Sequence, residues 1–154
     1  MEIKELKNRP DIDQNEKLYA SYALFDELLM KLRTKELPDK TVKSINDGVD
    51  QINSVSESEE ELRKQIKKTQ SNIIKQIEKE HKLVTKNHYR NTWLAVGMAA
   101  FGIPIGVAFG ASLGSMAFLA IGIPIGMVIG LAIGSGMDKK AFEEGRQIDL
   151  ELKY

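Results

Sequence analysis

From Asn91 to Met137 the chain carries no charged side chain, and within that stretch the sequence repeats itself. The two copies read FGIPIGVAFGASLG, Phe101 to Gly114, and IGIPIGMVIGLAIG, Ile121 to Gly134. One helical crossing of a bilayer takes about 20 apolar residues, so the run is too long for one span and suited to two. A chain this short cannot bury two such segments inside itself. What remains is a hydrocarbon environment, or burial within a large assembly.

Each copy places glycine at every fourth position: Gly102, Gly106, Gly110 and Gly114, then Gly122, Gly126, Gly130 and Gly134. Four-residue spacing keeps the glycines of a copy along one side of a helix. A side without side chains lets another helix backbone approach closely. Pro104 and Pro124 occupy equivalent places in the two GIPIG motifs. Each lacks an amide hydrogen and tends to kink its helix, which membrane helices tolerate where neighbours satisfy the freed carbonyl. We expect spans over about 92–112 and 116–135. The glycine faces either close on each other within an antiparallel hairpin or are shared between chains, and the two arrangements are compatible.

These GxxxGxxxGxxxG runs, with the tail IGSGMDKKAFEEGRQ from Ile133 to Gln147, resemble the glycine-zipper membrane proteins, a group of small membrane hairpins. The resemblance covers about residues 97–147 and implies membrane residence and helix association, with no reaction.

Charge on either side of the run sets an orientation. Lys79, Lys82, Lys86 and Arg90 precede it, and Lys139, Lys140 and Arg146 follow it. Basic flanks stay on the cytoplasmic side. The connection from Gly114 to Ala120 has no charge. The expectation is a multi-pass hairpin in the cytoplasmic (inner) membrane with both termini cytoplasmic. Lys82, Lys86, Arg90, Lys139 and Lys140 would lie at the membrane interface, with Tyr89 and Trp93 as interfacial aromatic anchors. The N-terminal residues MEIKELKNRPDIDQ hold no apolar stretch of the kind a cleavable leader needs, so the first span is expected to act as its own targeting signal.

Residues 1–90 are polar and helical in pattern. Leu18, Tyr22, Phe25, Leu29 and Leu32 alternate spacings of four and three, with Leu24 and Leu28 beside them, so a helix is expected over about 14–36. Asp13 with Glu16 resembles a capping box at its start. Val42, Ile45, Val49 and Ile52 mark a second helix over about 39–54, weakened by Gly48. Ser58 with Glu61 would cap a third, over about 59–90, along Leu62, Ile66, Ile73, Ile77 and Val84. No glycine or proline separates it from the first span. The three stripes suit a small bundle core or an intermolecular coiled coil. The fold class is therefore all-α: a cytoplasmic helical region (1–90), a transmembrane helical hairpin (91–137) and a polar cytoplasmic tail (138–154).

Chemistry-bearing patterns are sparse. There is no cysteine. The two histidines, His81 and His88, stand seven apart without an arranged carboxylate, a poor metal site. The sequence contains no GxxxxGK[ST], HExxH or GxSxG motif. Catalytic, cofactor-binding and metal residues are accordingly assigned to none, and the basic stretch before the first span suits anionic lipid headgroups better than nucleic acid. The function expected is that of a non-enzymatic integral membrane protein that self-associates through its glycine faces. Its cytoplasmic helices would serve as an anchor, a scaffold or a module for a protein partner. The alternative is an oligomeric pore-forming or membrane-permeabilising effector.

Overall fold

A computed structural model of the chain describes residues 1–56 and 58–152. They divide into two compact units, one of Met1–Leu83 with Ile148–Leu150, the other built on Val84–Gln147.

The first unit is a three-helix bundle. Helix α1 (Glu16–Arg33) starts at Asn15, whose side chain accepts a hydrogen bond from the Leu18 amide at 3.1 Å. Asp13, expected as the cap, lies instead in a 3-10 turn over Pro10–Gln14. Leu18, Phe25, Leu28, Leu29 and Leu32 are buried. Helix α2 (Asp39–Ser54) buries Val42, Ile45, Val49 and Ile52. Its Gly48 has a packing reason: a Cβ there would sit 2.7 Å from Cγ2 of Thr69 on the neighbouring helix. That helix, α3 (Glu59–His81), is capped as expected by Ser58, whose hydroxyl accepts from the Glu61 amide at 3.3 Å. Both α1 and α2 pack against α3, so the apolar stripes close on one another within one chain.

Helix α3 does not run on to residue 90. It ends at His81, and Lys82 takes a left-handed conformation (φ 57°) as its C-cap. Strand β1 (Val84–Lys86) follows, and Asn87 (φ 60°) turns the chain again before the next helix. Two left-handed residues replace the glycine or proline that a sequence reading looks for, and asparagine accepts that conformation better than most residues do.

The second unit holds the hairpin. Helix α4 (His88–Gly97), a π-helical segment (Met98–Gly102) and helix α5 (Ile103–Leu113) form one continuous helix. Gly114 (φ 69°) stops it, a 3-10 turn spans Met116–Phe118, and helix α6 (Leu119–Glu143) returns. Both helices are longer than the spans expected. The supposed polar tail is ordered: α6 runs to Glu143, Gly145 (φ 68°) turns, and strand β2 covers Gln147–Glu151. β1 and β2 make a two-stranded parallel sheet, in which the Val84 amide donates to the Arg146 carbonyl at 3.0 Å. The other elements of the described residues are helices.

Candidate functional site

The two glycine rows face each other. Gly102, Gly106, Gly110, Gly122, Gly126, Gly130 and Gly134 are all buried. A Cβ added at Gly126 would lie 2.7 Å from Cα of Gly102 and closer still to the Gly97 carbonyl oxygen. One at Gly122 would lie 2.6 Å from Cα of Gly106. One at Gly106 would lie 2.9 Å from Cα of Leu119, and one at Gly134 would lie 2.6 Å from Cα of Arg90. The obstructing atoms are backbone, so no side-chain movement relieves them. Backbones this close gain dispersion contacts along the whole seam, which is the main attraction available where lipid already solvates apolar side chains.

Gly114 has a different place. No atom lies within 4 Å of where its Cβ would be, and its positive φ makes it a helix stop rather than a packing residue. Gly97 takes up the role instead: it is buried, and a Cβ there would sit 2.8 Å from Cα of Gly130. Gly97 and Gly102 are five residues apart, which in a regular α-helix would put them on different faces. The π segment between them restores the face, because a π turn is wider by about one residue. The Ile103 amide bonds to the Met98 carbonyl across this turn. Pro104 stands two residues past it, where its missing amide and its ring bear on the preceding turn. Pro124, its counterpart in the repeat, lies inside α6 without any such break. Equivalent prolines thus sit in two different backbones.

Around this seam the burial pattern is inverted. Phe101, Ile103, Val107, Phe109, Ile121, Ile123 and Val128 are exposed while the glycines are covered. Both helices, His88–Leu113 and Leu119–Glu143, are long and apolar enough to cross a membrane, and only 22% of the apolar window of each is buried. A core helix of a water-soluble domain would be mostly covered. Contiguous exposed apolar surface on this scale marks an interaction surface or a membrane-facing one.

At the charged end of the hairpin sits a residue that sequence reasoning missed. Asp138 is 7% exposed. Its Oδ1 accepts from the Tyr89 amide at 3.0 Å and its Oδ2 from the Arg90 amide at 2.9 Å. These are first-turn donors of α4, which has no side-chain cap of its own from Asn87. The carboxylate thus satisfies two orphan amides and meets the positive end of the helix dipole. The signal was present: Asp138 follows Gly134 by four and so continues the glycine row.

The expected interface residues lie as follows. Tyr89 and Arg90 are in the first turn of α4, Trp93 is one turn further on, and its carbonyl carbon would lie 2.9 Å from a Cβ at Gly130. Lys139 and Lys140, exposed on α6, pair with Glu143 at 3.8 Å and Glu144 at 3.9 Å. Lys86 is exposed on β1 and Lys82 caps α3. The histidines do not share a helix face: His81 ends α3 and lies 2.9 Å from the Thr41 hydroxyl, while His88 opens α4 with its ring edge-on to Tyr89. Among the described residues no group of three or more acidic or histidine side chains is placed to hold a metal ion.

Set against family models, curated proteins and solved structures, the chain matches none of them.

Proposed function

We propose that the protein is a non-enzymatic, two-span integral membrane protein. Its hairpin anchors a cytoplasmic three-helix bundle that serves as a scaffold or partner-binding module. The observation that carries this reading is the inverted burial of the hairpin, with glycine inside and isoleucine, valine and phenylalanine outside. Basic residues at both outer ends and none at the turn support cytoplasmic termini. Association between copies is part of the proposal. Because the glycine rows occupy each other within one chain, association would use the outward faces, where Ala100, Pro104, Ala108 and Ser112 recur every fourth residue.

The test is membrane extraction. The expressed protein should stay in the pellet through an alkaline carbonate wash and leave it only with detergent; release by carbonate overturns the reading. Native mass in nanodiscs then reads the number of copies, and a monomer removes self-association. The pore reading would draw its polar side chains from Ser112, Ser115 and Ser135, since none lies between Trp93 and Ala111 or between Met116 and Gly134. Dye retention by protein-loaded liposomes would set it aside.

A further inference from the structure

The segment before the bundle lies as an extended arm between α1 and α2. Asn46 and Asn53, seven apart on α2, each hold it by two bonds. Asn46 Oδ1 accepts from the Lys4 amide at 2.8 Å and its Nδ2 donates to the Glu2 carbonyl at 2.9 Å. Asn53 repeats the pattern with the Lys7 amide at 2.8 Å and the Glu5 carbonyl at 3.2 Å. From α1, Arg33 donates to the carbonyls of Ile3 and Lys4, and the Tyr22 hydroxyl donates to that of Lys7.

The two asparagine clamps are three arm residues apart, and burial follows the same period. Ile3 is buried, Leu6 and Arg9 are half-buried, and the residues between them are exposed. A threefold extended chain advances about 9 Å in three residues, and an α-helix advances about 10.5 Å in seven. The two repeats match in pitch, so α2 reads the arm as a regular ladder. Side chains add selectivity. Lys4 Nζ pairs with Asp50 at 2.5 Å, and Arg9 donates to the Ile52 and Val55 carbonyls at the end of α2.

We propose that the slot between α1 and α2 is an acceptor for an extended peptide, and that in the assembled protein it is filled by the arm of a second copy. This rests on the self-association proposed above. Ile3, at 8% exposure, is the one buried apolar side chain among residues 1–9 and Leu6 is half-buried, so release of the arm uncovers little of the apolar core. A second copy carries the same backbone spacing, the same Ile3 and the same Lys4, which a partner of other sequence would have to imitate. Membrane confinement raises the effective concentration of neighbouring arms without any new contact, and exchange of an identical element is a low-cost route to association.

The chain has no cysteine, so Lys4→Cys and Asp50→Cys introduce the only thiols. Both sites are half-exposed, with side-chain exposure of 53% each. Full-length chains carrying one substitution each, with different tags, are mixed in detergent, reconstituted into liposomes and treated with a short bismaleimide. The expected product is a crosslinked pair bearing both tags, and its yield should fall several-fold when the Asp50→Cys chain also carries Asn53→Ala. If the Lys4→Cys/Asp50→Cys double variant crosslinks only within itself and the mixture gives no mixed pair while native mass shows an oligomer, exchange is wrong and self-association stands. A monomeric mass with crosslinks confined to one chain removes both.

Discussion

At the scale of single residues the hairpin depends on what is missing from its side chains. Gly126→Ala would place a methyl against the backbone of Gly97 and Gly102, where nothing can rotate away. Overpacking of this kind costs about 1–3 kcal/mol, so we expect a lowered melting temperature in detergent, and Gly126→Leu should separate the helices. Gly136 is the control. No atom lies within 4 Å of its would-be Cβ and its φ is ordinary, so Gly136→Ala should be neutral or stabilising by up to about 1 kcal/mol. Equal losses at the two positions would mean that the glycine seam is not what holds the hairpin. Asp138 acts at the other end of the same row. Asp138→Ala leaves two part-buried amides without their acceptor, at about 1 kcal/mol. Asp138→Asn keeps one acceptor but turns a donor toward the second amide, so it should lie between wild type and alanine in thermal melts. The glycines of this row were legible because four-residue spacing is a strong pattern. Asp138 was passed over because it reads as the first charge of a tail, and its partners are backbone amides that carry no sequence signature.

At the scale of elements, periodicity was a sound guide to where helices run and a poor one to where they break. Helix α2 lies over the residues expected, and α1 is five residues shorter, two at its start, where Asn15 rather than Asp13 provides the cap, and three at its end, where Thr34 is the C-cap. The third helix was overextended by nine residues, from His81 to residue 90, since Lys82 and Asn87 leave helical geometry without a glycine or proline to announce it. The strands were missed because three and five residues are too few for a two-residue alternation to stand out. The π segment was illegible for a different reason: it is required by the partner helix. Its Met98–Gly102 turn exists to bring Gly97 onto the face of Gly102, and only the opposing row of α6 makes that necessary. This gives a sharp expectation. Deleting Ala100 shortens the Gly97–Gly102 interval to four residues, so a plain α-helix would carry both on one face. Pro124 inside unbroken α6 shows that the following proline is compatible with α geometry in this sequence. The deletion variant should therefore keep its helical circular dichroism and melt at or above wild type. A deletion of Leu131, which breaks the regular interval between Gly130 and Gly134, should instead melt well below it. If both deletions are equally harmful, the π turn is not a register device.

At the scale of the molecule, length and charge together fix how deep the hairpin would sit in a bilayer on the proposed membrane reading. The two helices have 26 and 25 residues, which at 1.5 Å per residue makes each about 38 Å long. The hydrocarbon core is about 30 Å thick, so about one and a half turns of each helix would fall outside it unless the pair tilts. They cannot both fall outside at the turn, where Leu113, Phe118 and Leu119 are apolar and no charge is present. On that reading they fall at the other end, where Asp138 clamps Tyr89 and Arg90 and where Lys139 and Lys140 pair with glutamates. Trp93 stands one turn inside that clamp, at the boundary where an indole places its ring in hydrocarbon and its N–H near headgroups. It is the only tryptophan in the chain, so the unmodified protein reports its own depth. In liposomes we expect blue-shifted Trp93 emission, quenched more strongly by a nitroxide near the glycerol end of the acyl chain than by one near its methyl end. The proposed membrane reading requires that order. Stronger quenching by the deep label would place the Asp138 clamp inside hydrocarbon, where its carboxylate and the neighbouring lysines would be costly to hold. Emission at the wavelength of water, indifferent to both labels, would mean that the inverted surface of the hairpin faces something other than lipid.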